Sequence, residues 1–569
     1  MLSICSSPLS QVCLDRFLAR PRGVRLSSLQ LGKQAAWKPI RTFTSHRQLL
    51  EQQAASPTQQ TPQARVSDIQ KTWSSPYPRI GRSPLSFTCA EFRSKYDVIQ
   101  PDETVEEDTV VLHGRIRSQR TAGKKLVFFD LVHNGHKVQV LCNQRVVGEA
   151  GISPEKFKEF YHLLRRGDSF SVTGKPHRTS RGELTVKTTE LPKLISPCLH
   201  DVPVHQKELE ISPYERHVEF LSSPSAANIL RARSLITHSM RNFFASREFM
   251  EVNTPILASK SGGAIAQPFV TSATEFPDRP LSLRIAPELW LKRLVVGGFD
   301  RVFEIGPSFR NEGLDKTHNP EFTTCEFYQA FADLESLIET TESLLSTLAI
   351  DVQQLNKKLN NSLSPTTVSF TGPYRRVDFI PAIEAAIGRK LPDLQSGNAL
   401  SQVKEIFAAL SLPLPAHETL PRLLDKLCSI YVESQLVEPT FIMNHPECMS
   451  PLSKSYRHPG NGQIVSARAE LFVEGKEIMN MYEEENSPFE QRRKFHQQLS
   501  FRDPENAGEL DEGYLQTLEW GLPPTGGWGC GIDRLCMLFT GARRISDVLS
   551  FGNLRSVTAT SEPGPPSRQ

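Results

Sequence analysis

The sequence has 569 residues and a formal charge of +3. A chain this long holds two or three domains and can bury a large core, while a near-neutral balance means that any nucleic-acid contact must come from local patches. Its ten cysteines include no C-x-x-C pair, which argues against a zinc site or disulfide framework and fits a reducing compartment, and no apolar run reaches the roughly 20 residues that span a membrane.

The first 50 residues hold one acid, Asp15, against Arg16, Arg20, Arg22, Arg25, Lys33, Lys38, Arg41 and Arg47, with Ser and Leu filling much of the rest. A basic, Ser-rich, acid-poor leader is the pattern of a transit peptide. Residues 1–50 are therefore expected to direct import into the mitochondrial matrix, with cleavage near Arg41-Thr42-Phe43. Residues 51–100 read as a linker and N-terminal extension, and 51–75, rich in Gln, Ser, Thr and Pro, as a solvated stretch. Strand-like runs follow at 109–120, 126–131 and 137–143. A helix with Ser153 as N-cap and Pro154 in its first turn runs to Leu164, and two more strands fall at 168–174 and 183–188. Three strands, a helix and two strands is the order of an OB-fold barrel, here over 101–195. Gly114, Gly123 and Gly174 sit where so small a barrel must bend or turn.

A hinge at 196–222 contains Pro197, Pro203 and Pro213. The segment 223–247 carries Ile229, Leu235, Ile236, Met240 and Phe243 at helical spacing, with Ser223 and Pro224 as N-cap and first helical residue. Runs at 302–312 and 321–332 read as strands, joined by the polar loop 313–320 into an antiparallel hairpin. Side chains two apart on a strand share a face, which pairs Arg310 with Glu312 and Glu326 with Tyr328. An arginine fork suits a phosphate or carboxylate; a carboxylate beside a phenol suits an amine. From 334 to 441 the pattern is mostly helical, with a loop at 361–373 and a Pro-rich bend at 412–415. A second hairpin turns at Glu474-Gly475, and its second strand puts Asn480, Tyr482 and Glu484 on one face. By charge alone, Glu477, Glu483 and Glu484 make a solvated run. The Ser/Pro-rich end, 557–569, is expected to be disordered.

The stretch Phe309-Arg310-Asn311-Glu312-Gly313, with His318-Asn319-Pro320-Glu321-Phe322 and Glu326-Phe327-Tyr328, resembles the second signature motif of class II aminoacyl-tRNA synthetases. The helix and Pro255-containing strand of 223–257 resemble the first. Gly527-Trp528-Gly529-Cys530-Gly531-Ile532-Asp533-Arg534-Leu535 resembles the third. Gly262-Gly263-Ala264, Arg284-Ile285-Ala286-Pro287-Glu288-Leu289 and the run from Arg468 to Glu484 extend the likeness. From about residue 108 to 556 the chain is similar to the lysyl-tRNA synthetases of class IIb.

That resemblance implies an α+β protein: a class II antiparallel sheet flanked by helices over 223–556, preceded by the all-β OB-fold barrel. It implies a lysine–tRNA ligase that uses ATP and Mg²⁺, acts on tRNA(Lys) in mitochondrial translation, and dimerises with a second copy through the first motif. The implied lysine contacts are Gly262, Glu288, Arg310, Glu326, Tyr328, Asn480, Tyr482 and Glu484, with Glu484 and Tyr328 at the side-chain ammonium. The implied ATP contacts are Arg310, Glu312, His318, Asn319, Phe322, Glu477 and Arg534, with Phe322 and Arg534 sandwiching the base. Arg310, Glu312 and Arg534 carry the catalytic role, and Glu470 and Glu477 the metal. On the barrel, Phe128 with Arg117 and Gln139 on neighbouring strands matches the anticodon site; alternation lets only one of Phe128 and Phe129 face the groove, and Phe128 is expected there. Trp528, Cys530, Met481 and Gly552 depart from common family residues without removing an implied catalytic group. A neighbouring acid, Glu483, has no implied role.

Overall fold

The computed structural model describes residues 60–73, 75–81, 83–203, 215–259, 266–501 and 510–558. The chain divides into Met1–Arg65 and Val66–Gln569, and the barrel and catalytic sheet belong to the second unit. The expected leader, 1–50, lies outside the described residues.

Five strands build the barrel: β1 (Val110–Ala122), β2 (Leu126–His133), β3 (His136–Asn143), β4 (Ser169–Arg178) and β5 (Leu184–Thr188), with helix α1 (Pro154–Leu163) between β3 and β4. β1 pairs with both β2 and β4, and β3 pairs with β5, which closes the ring. Ser153 caps α1 by accepting from the Lys156 N–H at 3.3 Å. On β2 the alternation is regular: Val127, Phe129 and Leu131 are buried, and Phe128 and Asp130 point outward. At Gly174 a Cβ would sit 2.1 Å from the Lys187 carbonyl oxygen, so the strands cross there too closely for any side chain.

The expectation of a solvated stretch over 51–75 fails in part. Pro62–Thr72 is a helix, Ile69 is fully buried, and the Trp73 ring lies 6.0 Å from those of Phe160 and Phe170. Val66, Ile69 and Trp73 are three and four residues apart, one stripe of a helix that the polar composition concealed. A second helix, Cys89–Tyr96, has a capping box between Thr88 and Glu91 and buries Phe92 and Tyr96 in the barrel core. Residues 51–59 lie outside the described residues.

The catalytic region contains α2 (Pro224–Ala245), α3 (Glu288–Val296), β6 (Arg301–Phe309), β7 (Glu321–Ala330), α4 (Leu334–Lys358), β8 (Arg375–Asp378), β9 (Thr440–Met443), β10 (Arg468–Val473), β11 (Lys476–Glu483), β12 (Thr525–Gly531) and α5 (Ile532–Thr540). The sheet runs β8-β9-β10-β11-β12-β7-β6, followed by the short strand Met250–Glu251. Its inner pairs are antiparallel; the outermost pair at each edge is parallel. β8 and β9 interrupt a region expected to be mostly helical. All four residues of β9 are buried, and a run of three apolar residues after Thr440 has no period that separates a strand from a buried helix. β6 is also shorter than its pattern suggests. It ends at Phe309, leaving Arg310 and Glu312 in the loop, where the Arg310 N–H donates to the Pro320 carbonyl at 2.8 Å. The hinge contains a helix, Arg216–Ser222, with 204–214 outside the described residues. The final helix, Leu554–Thr558, runs two residues into the expected tail; 559–569 lie outside the described residues.

One face of this sheet packs on α2 and α4. Phe303, Phe327, Met481 and Trp528 share a core with Ile236, Met240, Phe244, Leu337 and Leu344. Phe327 and Trp528 stack at 5.1 Å across β7 and β12, and the indole N–H donates to Thr341 Oγ1 at 2.9 Å. Trp528 and Cys530 are thus core residues, and the glycines that alternate with them belong to the opposite face.

Candidate active site

The register explains the hollow on that opposite face. Gly527, Gly529 and Gly531 of β12 stand opposite Tyr328, Glu326 and Thr324 of β7; on the other side Gly527 and Gly529 stand opposite Tyr482 and Asn480 of β11. A strand without side chains runs between two strands that carry them, leaving a trough. The resulting cavity has a volume of about 600 Å³, within the range of small-molecule sites. Its floor is tight: a Cβ on Gly527 would lie 1.9 Å from Glu484 Oε1 and 2.7 Å from the Tyr328 ring.

One end of the cavity is acidic. Glu288, Glu326, Tyr328 and Tyr482 line it. The Tyr482 hydroxyl donates to Glu288 Oε1 at 2.7 Å, and the Tyr328 hydroxyl to Glu326 Oε2 at 3.3 Å. Burial, reinforced by the nearby charge of Glu288, pushes the Glu326 carboxyl up to about 8. Glu484 is buried immediately behind Gly527. Its carboxylate contacts the Lys292 ammonium, which also lies 2.6 Å from Glu288 Oε1. Burial alone would weaken the Lys292 ammonium, but the two carboxylates outweigh it and hold the lysine charged. Sequence reasoning assigned Lys292 no role. The signal was there: Glu288 and Lys292 are four residues apart on α3, the spacing at which helical side chains meet.

The other end carries cations on more open backbone. The Arg310 guanidinium lies over the Phe322 ring at 5.2 Å. Arg534 donates to the Glu477 carbonyl at 3.2 Å and lies 2.7 Å from His318 Nε2. His318 in turn meets Asp315 at 2.8 Å. It is Arg310 rather than Arg534 that covers Phe322 here. Asn319 donates to the Glu321 carbonyl at 2.6 Å and accepts from the Leu554 N–H at 3.0 Å; Glu312 is exposed on the rim. Gly531 caps α5, and Asp533 pins that helix by accepting from the Thr323 N–H at 2.8 Å.

Glu470 and Glu477 lie on facing strands, where a bulge at Leu471/Phe472 shifts the register. The Glu470 carboxylate contacts Arg468 and lies 3.0 Å from His445 Nε2; burial works against its ionisation, but the Arg468 charge and the contacts with Arg468 and His445 bring it down to about 2. Glu477 moves the other way, raised by burial and by the charge of Glu470. Two repelling carboxylate groups are hard oxygen donors that fit a cation between them. Among the described residues no group of three or more acid, His or Cys side chains forms a metal cage. The pair therefore suits an ion that takes its other ligands from phosphate and water, the habit of Mg²⁺. Arg468, which also had no assigned role, donates to Asn480 at 2.9 Å and to Ser450 at 2.8 Å.

Of the acids expected to form a solvated run, Glu477 keeps a partly exposed side chain, while Glu483 and Glu484 have partners inside the protein. Glu483 accepts from the Leu334 N–H at 3.1 Å, at the start of α4. Glu484 meets Lys292, and Glu485 meets Lys494 at 2.7 Å. On the barrel, Phe128 faces outward, paired across the strands with Arg120, whose guanidinium lies 5.1 Å from the ring. Arg117 is exposed at a bulge in β1, and Gln139 of β3 is buried opposite Asp130. β1 and β3 flank the strand of Phe128. The structure thus gathers Glu288, Arg310, Glu312, His318, Asn319, Phe322, Glu326, Tyr328, Glu477, Asn480, Tyr482 and Arg534 around one cavity, with Glu484 beneath its floor. Arg117, Phe128 and Gln139 stand apart on the barrel, and Gly262 lies outside the described residues.

The family model of class II tRNA synthetases (D, K and N) matches residues 208–555, and that of the OB-fold nucleic-acid-binding domain matches 110–194. The chain is 43% identical to a mitochondrial lysine–tRNA ligase of Schizosaccharomyces pombe over 78% of this chain and 84% of the relative. It is 38% identical to a lysine–tRNA ligase of Cladosporium cladosporioides over 88% and 84%, and 36% identical to one of Thermotoga maritima over 86% and 94%. With the anticodon-type barrel, the glycine trough and its acidic end in place, the chain belongs to the class II tRNA synthetases, among the lysine–tRNA ligases.

Proposed function

We propose that this chain activates lysine with ATP to lysyl-adenylate and pyrophosphate, then transfers lysine to the 3′-terminal adenosine of tRNA(Lys). The observation that carries this reading is the polarity of the cavity: carboxylates and phenols at one end, guanidinium groups and an aromatic ring at the other. Lysine brings two ammonium groups and one carboxylate, and its adenylate adds a phosphate and a base. Glu484 and Tyr328 take the side-chain ammonium, and Glu288, Glu326 and the backbone near Gly262 the α-amino group. Asn480 and Tyr482 fix the walls of the lysine end. Arg310 holds the carboxylate and then the α-phosphate.

The lysine carboxylate attacks the α-phosphorus in line and pyrophosphate leaves, so the work of the protein is positioning and charge neutralisation. Phe322 stacks the base, Arg534 and His318 reach the terminal phosphates, and Asn319 and Glu312 orient the nucleotide. Glu470 and Glu477 would hold Mg²⁺, which supplies charge neutralisation to the phosphate oxygens. The adenosine hydroxyl of the tRNA then attacks the activated carbonyl and releases AMP.

Phe128 and Arg117 meet the anticodon, with the buried Gln139 behind them on the neighbouring strand, since OB grooves stack bases on aromatic rings over a basic surface. A homodimer is supported by exposed Met250, Ile256 and Leu257 in the first motif and is checked by sedimentation. Matrix localisation is supported by the basic leader and by relatives named as mitochondrial; a reporter fused behind the chain without 1–50 is expected to stay out of mitochondria. Among the described residues no helix is long and apolar enough to cross a membrane.

Amino-acid-dependent ATP–pyrophosphate exchange tests the central claim. Lysine is expected to drive it, and exchange with aspartate but not lysine would overturn the assignment. Arg310→Ala is expected to slow exchange by roughly 10²–10³-fold.

A further inference from the structure

Lys292 stands out by its position. Its side chain is fully buried, with Nζ 2.6 Å from Glu288 Oε1 and in contact with Glu484 Oε2. The rings of Tyr328, Tyr482 and Tyr514 surround it, with centroids 5.7–5.8 Å from Nζ. A cation this deep is retained only with partners, and two carboxylates this deep need a cation. In formal charge, two carboxylates and one ammonium leave one negative charge over; burial pushes the Glu484 carboxyl up, and the Lys292 ammonium is the group that opposes this. Glu484 Oε1 is buried in the space a Gly527 side chain would fill, next to the cavity that Gly527 lines.

We infer that Lys292 is a specificity-determining residue of this site, a resident counter-ion that bridges Glu288 and Glu484 and leaves the unpartnered Oε1 of Glu484 for an incoming side-chain ammonium. The inference rests on the reading that lysine is the substrate. A side chain with one positive charge closes the balance. A neutral chain of the same length leaves a buried charge uncompensated, and an acidic one adds repulsion. Without Lys292 the two carboxylates would share a proton, as close carboxylate pairs do. The charge met by the substrate would then be fixed neither in place nor in amount.

Lys292→Met keeps the length of the side chain and removes its charge. In pyrophosphate exchange the lysine KM is expected to rise at least about tenfold, with the ATP KM within about twofold of wild type and the preference for lysine over norleucine reduced. An unchanged lysine KM, or a parallel change in both KM values and kcat, would overturn the inference and make Lys292 a packing residue. Should this variant fail to fold, the wild-type enzyme crystallised with lysine decides. Lys292 Nζ is expected to stay on Glu288 and Glu484 while the substrate ammonium takes the free side of Glu484. Finding Lys292 swung away from both carboxylates would refute the role. Wild-type exchange that does not respond to lysine would instead bring down the substrate reading itself.

Discussion

At the acid end of the cavity, Glu288, Glu484 and Lys292 expose no more than 6% of any side chain and hold one another in place. On the barrel, Arg117 is exposed at a strand bulge and Phe128 has Arg120 across the strand. Both surfaces combine charged and aromatic side chains, but differ in how tightly these are held. The cavity is organised before its ligand arrives, so removing one group leaves another buried without its partner. On the barrel face Arg117 and Phe128 stand in or near solvent, so removing one leaves no buried partner behind. Damage should be steep in the first region and graded in the second.

Glu484→Gln should produce the largest effect. It leaves Lys292 with one carboxylate and deprives the substrate of its partner, a loss of about 3–5 kcal/mol, or a rise in lysine KM on the order of 10²–10³-fold. Pyrophosphate exchange measures it, and a rise below tenfold would erase the contrast. Gly527→Ala comes next. Its new methyl group meets Glu484 and Tyr328, so thermal unfolding should show a loss of about 1–3 kcal/mol and the lysine KM should rise with it. Phe128→Ala should raise the tRNA KM by about tenfold, the equivalent of one lost base stack. An equal loss in pyrophosphate exchange would show instead that the ring supports the fold. The smallest effect on catalysis concerns pH. Folding raises Glu326 to about 8, so between the ordinary carboxylate range and about 8 the folded protein keeps a proton that the unfolded chain has released. Stability therefore falls as pH rises through that window, and melting temperature against pH should show it. The kcat/KM for lysine should rise by less than about tenfold up to pH 8 as Glu326 ionises, and Glu326→Gln should flatten both profiles.

Much of this arrangement was legible in the sequence because it follows local rules. The turn at Glu474-Gly475 is formed by two residues with positive φ, 51° and 68°, and it sets the alternation that puts Asn480 and Tyr482 on the cavity face. The barrel order emerged from strand patterns, a Ser-Pro helix start and glycines at close crossings. What stayed hidden depends on contacts between distant segments. Lys292 was visible beside Glu288, but nothing local says that Glu484, nearly two hundred residues on, closes the triad. The partner of Glu483 is a backbone N–H at the start of α4, which no charge pattern reveals. β9 was missed because a strand buried on both faces lacks alternation, β8 because the four residues Arg375-Arg376-Val377-Asp378, exposed or half-buried, carry no strand pattern, and the helix at Pro62–Thr72 because its polar face outweighs a narrow apolar stripe.

Glu483, Glu484 and Glu485 each serve a different neighbour: a helix end, a buried lysine on α3, and Lys494. Successive side chains leave an extended segment in opposite directions, so deleting or inserting one residue between Gly475 and Glu485 would deliver all three acids to the wrong addresses at once. A change of length here would therefore strike all three contacts together, where a single substitution strikes one.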